Sequence, residues 1–531
     1  MRCIVTVLGL RRYLALARSA CLPSNAAPES PTVPRIGFVP TMGALHEGHL
    51  SLIHRARAEN DRLIVSIFVN PLQFAPQEDF HAYPQPYDQD RALCEAAGVD
   101  LLFLPRAEEL YPAVGNQPGL SPALTQVMPP PHLLKGLCAR SRPTHFQGVA
   151  TVVVKLLSLV QADRAYFGQK DAQQLVIIRQ IVADLNLPTE IVTCPIVRES
   201  SGLALSSRNR YLSSSEKQQA TVLSRALFAT QSAFAQGERH SDRLCRVARS
   251  VLETEPNLKL DYLELVDPDT LTPLEKVEIK GLLAVAAQMG SARLIDNILL
   301  TARKPIIAID GPAGAGKSTV TQRVAKTLGL MYLDTGAMYR AVTWFILNSQ
   351  VPITDELTIA DLVAQCQIRF EFPQGEAFSP TRVWINDREV TEIIRSPEVT
   401  AQVSSIAAQP AVRFSLVREQ KQYGSRGGLV AEGRDTGTAV FPDAELKIFL
   451  TASPAERARR RQQDLHRLGR ASLSLSELEA EISRRDRLDS SRPISPLIQA
   501  SDAIRLETDT FTIEEVTDKI VQLYRQRLRM E

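Results

Sequence analysis

The sequence runs to 531 residues, which at roughly 100–200 residues per domain means two to four domains and more than one core. With 44% hydrophobic and 23% charged residues, wholesale disorder is excluded. Lys+Arg 61 against Asp+Glu 59 leaves a net charge of +2, and the halves on either side of residue 301 are both near balance. That charge gives no field arguing for a nucleic-acid or membrane partner.

The cysteines, seven in all, are scattered without C-x-x-C or His/Cys metal spacing. They read as reduced, buried thiols of a cytoplasmic protein, not as a disulfide framework or a zinc site. No apolar run approaches the ~18 residues of a spanning helix. The opening segment carries Arg2, Arg11, Arg12 and Arg18 and no acid through residue 28. Its short apolar stretch and the amphipathic LRRYLALAR favour an opening strand and helix over an address label.

In chain order, CLPSNAAPESPTVP (residues 21–34) is a Pro/Ser/Asn loop that gives way to a strand at RIGFVP. A helix at HEGHLSLIHRARAEN and the buried strand RLIVSIFV complete a strand–helix–strand unit, the mark of a parallel sheet with crossover helices. Residues 105–143 are rich in Pro and Gly. The run PPPH at 129–132 predicts a loop or lid, neither helix nor central strand. TVVVKLLSLV, RAYFG and QQLVIIRQIVADLN continue the alternation. From Tyr211 to Leu300 the pattern changes to helices and then KLDYLELVD, GLLAVAAQMG and ARLIDNILL, which predict an antiparallel α+β module. At TARKP the chain restarts with the strand PIIAID. The expected domains are therefore 1–210, 211–301 and 302–531.

After PIIAID comes GPAGAGKST, which satisfies G-x-x-x-x-G-K-[ST] with Gly311, Gly316, Lys317 and Ser318. Its glycines let backbone N–H groups turn towards phosphate oxygens, and the following helix adds its positive end. Lys317 neutralises the β/γ-phosphates and Ser318 ligates Mg²⁺. Gly311, Pro312, Ala313, Gly314, Ala315, Gly316, Lys317, Ser318 and Thr319 are thus the expected ATP loop. Asp310 and Asp334 are both candidates for the supporting carboxylate.

Beyond that loop, LDTGAMYRA, AEGRDTGTAVFPDA and RRDRLDSSRPISPL resemble the bacterial cytidylate kinases, from about Ile306 onward. A phosphoryl acceptor that is itself a phosphate needs several fixed cations, and Arg340, Arg434, Arg485 and Arg492 all lie in these motifs. The resemblance implies a P-loop nucleoside monophosphate kinase fold. It implies that Arg340, Arg434, Arg485 and Arg492 hold the acceptor phosphate, Asp489 the ribose, and Ser404, Arg413 and Asp435 the cytosine of CMP or dCMP. RARRRQQDLHRLGR (residues 457–470) would be the lid closing on ATP.

In the first half, PTMGALHEGHLSLI sets His46-x-Gly48-His49 after the first strand of that unit and at a helix N-terminus. Two imidazoles three apart share one helical face beside the dipole's positive end, where they can bond phosphate oxygens and stabilise charge at an α-phosphorus. No third ligand at suitable spacing joins them to make a metal site. VSIFVNPLQF, SRPTHFQGVATVVVKL, YFGQKDAQQL, CPIVRESSGLALSSRN and ARLIDN together resemble pantothenate synthetase (pantoate–β-alanine ligase) over roughly residues 34–300.

That resemblance implies a Rossmann-like nucleotidyl-transfer domain followed by a small α+β domain, and ATP-driven activation of pantoate to an acyl-adenylate that β-alanine then captures. By it, Met42, Gly43, Ala44, Leu45, His46, Glu47, Gly48 and His49 line the ATP phosphates, with His49 an acid-type catalytic residue. Gly168, Gln169, Lys170, Asp171, Val197, Leu205, Ser206, Ser207 and Arg208 complete the ATP site, and Lys170 and Arg208 offset the charge of departing pyrophosphate. Gln73 and Gln174 bind pantoate, Gln73 also meeting β-alanine. Family members usually show Gly at Thr144, an acid at Lys135 and an aromatic at Ala172, departures that bear on affinity more than on reaction type.

Together the resemblances imply one chain with two ATP-using activities, and a homodimer through the ligase half. An aminoacyl-tRNA synthetase relative would need a basic RNA-binding domain and a second Lys-Ser loop; neither is visible. A nucleotide-sensing P-loop module would lack the acceptor arginines.

Overall fold

The computed structural model describes residues 1–19, 34–75, 80–113, 115, 117–371, 382–467, 474–492 and 494–529. It separates into two units, Met1–Ala302 and Arg303–Glu531. The loop expected at 21–34 lies outside the described residues apart from Pro34.

The first unit is built on strands β1 (Arg2–Ile4), β2 (Ile36–Thr41), β3 (Arg62–Ile67), β4 (Leu101–Phe103), β5 (Arg164–Gly168) and β6 (Glu190–Cys194). They form one parallel sheet in the order β1-β4-β3-β2-β5-β6. Successive side chains point to opposite faces, and both faces are apolar. Phe38, Ile64, Phe103 and Phe167 pack against the helices Val7–Ser19 and His145–Val160. Val39, Val65, Leu102 and Tyr166 pack against Glu47–Glu59 and Tyr87–Ala96. A sheet covered on both sides is what parallel crossovers require. The opening segment supplies edge strand β1 and a helix that buries Leu10 and Leu14.

The remainder of this unit carries β7 (Leu258–Val266), β8 (Lys280–Met289) and β9 (Ala292–Thr301), an antiparallel sheet in sequence order. One face packs on the helices Val222–Ala235 and Ser241–Leu252, the other on residues around Leu133, Phe146 and Ile177. The Pro-rich stretch corrects the expectation of plain loop. Pro131–Leu134 is a 3₁₀ turn and Cys138–Ser141 a short helix, because Pro is tolerated at the first position of a turn, where its missing N–H is not needed.

The second unit holds β10 (Lys304–Asp310), β11 (Met331–Asp334), β12 (Ile368–Glu371), β13 (Arg382–Ile385), β14 (Arg388–Glu389), β15 (Gly427–Gly433), β16 (Leu446–Thr451) and β17 (Ile504–Glu507). Its main sheet is parallel, β11-β15-β10-β16-β17, and β12–β14 form a small antiparallel one. Ile307, Ile309, Val430 and Ile448 face the helices Lys317–Leu328 and Ile513–Arg529, and Ile306, Ala308, Ala431 and Leu333 face the helix Thr335–Asn348. The phosphate loop leaves the carboxyl end of central strand β10, where open α/β sheets bind ligands. Of the described cysteines, Cys94, Cys138 and Cys194 are buried and Cys245 and Cys366 half-buried, whereas Cys3 is exposed, contrary to expectation. Among the described residues no helix is long and apolar enough to cross a membrane, and no cluster of His, Cys, Asp and Glu forms a metal site.

Candidate active sites

In the first unit the chain leaves β2 through a tight loop in which Gly43 (φ +83°) and Ala44 (φ +51°) are both left-handed. A Cβ at Gly43 would come within 2.9 Å of Asp90. Asp90, buried on the helix Tyr87–Ala96, accepts the N–H groups of Ala44 (2.7 Å) and Leu45 (2.8 Å) and so shapes the loop. Ser207 donates to the Ala44 carbonyl at 3.2 Å, drawing in residues 206–208.

His46 is the N-cap of the helix Glu47–Glu59 and not, as expected, a residue of its face. Its Nδ1 accepts the Gly48 N–H at 3.1 Å. Gly48 is required here because a Cβ would stand 2.8 Å from the His46 ring. His49 follows in the first turn, with ring centroids 4.1 Å apart. Burial, and then the charge of Lys170, pushes the His46 pKa down to about 4. Burial, with His46 and Lys170 adding to it, pushes His49 to about 3. Both imidazoles are therefore neutral at pH 7. An accepting Nδ1 leaves the His46 proton on Nε2, free to donate. His49 in this state is a neutral hydrogen-bond donor, and its Nδ1 is buried without a partner. Glu47 is exposed.

Lys170 and Asp171 (3.6 Å apart), Gln174, Ser206 and Arg208 line a cavity of about 610 Å³, together with Arg142, His145 and residues of β8 and β9. Gly168 and Gln169 lead into it from the end of β5. Val197 lies across a hairpin from Leu205, whose N–H it accepts at 3.0 Å. Gln73 is buried and donates to Met42 Sδ at 3.0 Å. Its Oε1 accepts from Asn70 at 3.1 Å, and Tyr111 in turn donates to Asn70 at 3.0 Å, which sets the orientation of both amides. Thr144 precedes the helix His145–Val160, Lys135 follows the 3₁₀ turn and Ala172 is buried at a helix start. Sequence reasoning missed Asp90 and Asn70. Asp90 sits in an unremarkable helical run, 45 residues or more from the amides it holds.

In the second unit Gly311 (φ +150°) passes so close to β16 that a Cβ would lie 1.9 Å from the Leu450 carbonyl, and Gly316 (φ +84°) opens the helix. Pro312, Ala313, Gly314 and Ala315 form the intervening turn, and Ser318 and Thr319 continue into the helix Lys317–Leu328. Lys317 is buried and donates to the Pro312 carbonyl at 2.8 Å. Burial, and then Arg434, pulls its pKa down to about 7, so an incoming polyphosphate replaces a weak partner with a strong one.

Neither candidate carboxylate touches Ser318. Asp310 is spent on Thr436 N (2.8 Å), Thr436 Oγ1 (2.7 Å) and Gly437 N (2.7 Å), and Asp334 caps the helix Thr335–Asn348 through Ala337 N (2.9 Å). Glu432, at the end of β15, accepts from Ser318 Oγ and from Tyr332, each at 2.7 Å. Asp334 stands opposite it in register; burial and then Glu432 raise its pKa to about 6. A hydroxyl and a carboxylate are hard oxygen donors, so this pair fits Mg²⁺. The available signal was an apolar strand ending in an acid beside the phosphate-loop strand.

Arg340, on the helix Thr335–Asn348, donates to Thr400 (2.9 Å), one turn before Ser404 on the helix Pro397–Ala408. Arg434 donates to Asp489 (3.1 Å) and Arg492 to the Ser495 carbonyl (2.6 Å). Arg485 is pushed down to about 10 by burial and then by Arg434. The charges of Arg395, not singled out in the sequence, and of Arg461, from the run expected as the lid, also press on Arg340. Crowded cations are a site prepared for a multivalent anion. Arg413 is only 1% exposed and pairs with Asp435, which Arg492 also approaches at 3.4 Å. Arg457 opens the run expected as the lid and lies on the helix Pro454–Arg467. It is buried, bonding the Ala313 carbonyl (3.1 Å) and Asp486 (2.6 Å). Residues 468–470 of the expected lid lie outside the described residues.

Two nucleotide sites, one of neutral imidazoles with lysine and arginine, one a phosphate loop facing an arginine cluster, define an enzyme of nucleotidyl and phosphoryl transfer. The family model of pantoate-beta-alanine ligase matches residues 19–299, and that of cytidylate kinase residues 307–526. A bifunctional pantoate ligase/cytidylate kinase of Trichormus variabilis is 56% identical over 99% of this chain and 99% of its own length, and one of a Nostoc species 58% identical over 93% and 92%. Among solved structures, the pantothenate synthetase of Thermus thermophilus is 46% identical, covering 56% of this chain and 99% of that one at a TM-score of 0.49. The chain belongs to the family of bifunctional pantoate ligase/cytidylate kinases. It joins a pantoate–β-alanine ligase to a cytidylate kinase.

Proposed function

We propose that the ligase works through a pantoyl-adenylate. The pantoate carboxylate attacks the α-phosphorus of ATP, forming the mixed anhydride and expelling pyrophosphate. The β-alanine amine then attacks the acyl carbon, giving pantothenate and AMP. Neutral His46 and His49 donate N–H bonds to α-phosphate oxygens as charge builds there, and Lys170 and Arg208 offset the departing pyrophosphate. Gln73 and Gln174 grip pantoate with amides, which do not compete as nucleophiles for the anhydride. The adjacent neutral imidazoles carry this reading, since two N–H donors side by side suit an oxyanion, and among the described residues no third metal-ligand residue joins them.

In the kinase unit a phosphate oxygen of CMP or dCMP attacks the γ-phosphorus of ATP and releases ADP. Lys317 and residues 311–319 hold ATP. Arg340, Arg434, Arg485 and Arg492 hold the acceptor phosphate, Asp489 the ribose, and Ser404, Arg413 and Asp435 the base. Positioning and neutralisation suffice for so loose a transfer. Mg²⁺, held by Ser318 with Glu432, would neutralise polyphosphate charge. The modules 1–210, 211–301 and 302–531, a homodimer through the ligase unit and a cytoplasmic setting follow the family resemblance. Product analysis tests the scheme: pyrophosphate is released with pantoate alone, AMP only once β-alanine is added, and ADP only with CMP or dCMP. ADP formation on adding pantoate overturns it.

A further inference from the structure

The motif ARLIDN has no role in the mechanism above, yet its last two residues reach both loops of the ligase ATP site. Asn297 is 3% exposed on β9, locked opposite Ala284 of β8. Its amide nitrogen donates to the carbonyls of Gln169 and Lys170, both at 3.0 Å. Those carbonyls belong to a three-residue turn between β5 and the helix Ala172–Asp184, a segment with no strand ladder of its own. The amide orientation is determined, since the flipped form would set its oxygen against two carbonyl oxygens. Asp296, also buried, takes both terminal nitrogens of Arg198 (2.6 and 2.9 Å) and the Asn297 N–H (2.8 Å). Arg198 donates onward to the Gly202 carbonyl at 3.2 Å, closing the hairpin that presents Val197 and Leu205.

We propose that Asp296 and Asn297 are positioning residues for adenylate formation, a clasp on the small sheet that holds the Lys170 turn and the 197–205 hairpin in one register. This rests on the reading that Lys170 and that hairpin bind ATP. Asn297 fixes the backbone at Lys170, and Asp296 fixes Arg198 and the hairpin. A displacement of about 1 Å at such a group costs up to 10²-fold in rate.

The test uses the full chain, with CMP-dependent ADP formation by the other unit as internal control. Asn297→Ala lowers the rate of pantoate-dependent pyrophosphate release ~10- to 100-fold, leaves KM for β-alanine unchanged and leaves the kinase rate unchanged. Lys170→Ala is equally defective, and adding Asn297→Ala to it costs less than about twofold more, because residues acting through one another are not additive. Asn297→Asp, which keeps the volume, shows the same loss, and its rate relative to the parent rises on acidification as a protonated carboxyl regains an O–H donor. Independent, multiplying effects of Asn297→Ala and Lys170→Ala overturn the proposal. So does full pyrophosphate release by Asn297→Ala alongside a crippled Lys170→Ala. A fully active Lys170→Ala overturns the reading of Lys170 itself, and the proposal with it.

Discussion

Replacing Asp435 by Asn tests how the kinase unit tells cytosine from uracil. Asp435 is 5% exposed and held by Arg413 and Arg492, so its carboxylate is oriented before any nucleotide arrives. It makes no side-chain cap to the turn that follows it; Asp310 bonds that turn instead. A merely structural capping role is thereby excluded. Cytosine presents an amino donor where uracil presents a carbonyl. A fixed carboxylate accepts from the first and opposes the second in a closed site. An unpaired polar group there costs about 1–3 kcal/mol, which at 1.4 kcal/mol per decade is a CMP-over-UMP preference of roughly 5- to 150-fold in kcat/KM. Asn can turn its amide nitrogen to the uracil carbonyl, so the preference collapses towards unity. The variant also leaves Arg413 without a charged partner, and one-sided loss of a buried pair costs up to about 3–5 kcal/mol of stability. The assay is therefore the ratio of kcat/KM for CMP and UMP on one preparation, from which the folded fraction cancels. An unchanged ratio refutes the reasoning.

Asp90→Ala strips a charged acceptor from two buried N–H groups; the ligase unit loses about 2–4 kcal/mol in chemical denaturation, and pyrophosphate release falls with it. Glu432→Gln raises the Mg²⁺ concentration for half-maximal CMP phosphorylation by about tenfold, from the ~1.5 kcal/mol of a charge-assisted contact, while KM for CMP stays within about twofold. Because His46 and His49 have depressed pKa values of about 4 and 3, their contribution to stability is fully present above about pH 6.5 and is lost as pH falls towards 3. Denaturation of the ligase unit at several pH values reads this. The loss is expected to be smaller in His46→Gln, and the adenylation rate has no inflection from either ring near 6.5.

The parallel sheets and the phosphate loop were legible in the sequence because each rests on a local signal: the apolar runs of β3 and β10, and the glycines after β10. The arginines were legible as a set, but not their environment. Arg340 and Arg485 lie on helices, and only tertiary packing turns them inward. Arg457 shares its run with exposed arginines and differs from them only in what surrounds it. Glu432 lay inside a motif already noted, yet its nearness to Ser318 is set by β15 lying beside β10. Asp90, Asn70 and Asn297 act on backbone groups far along the chain, which no spacing rule reports. The neutral state of the two histidines likewise comes from burial and from Lys170 on another loop.

One chain carrying two chemically separate ATP sites, with His49 serving one and Lys317 the other, makes a prediction that a single pair of variants decides. Pantothenate formation and CMP-dependent ADP formation are assayed on the same preparations of His49→Ala and Lys317→Ala. His49→Ala is expected to abolish the first and leave the second within about twofold, and Lys317→Ala the reverse, as sites that share no partners couple weakly. A folded variant that loses both activities, or keeps the one assigned to its own site, contradicts the separation of the two sites.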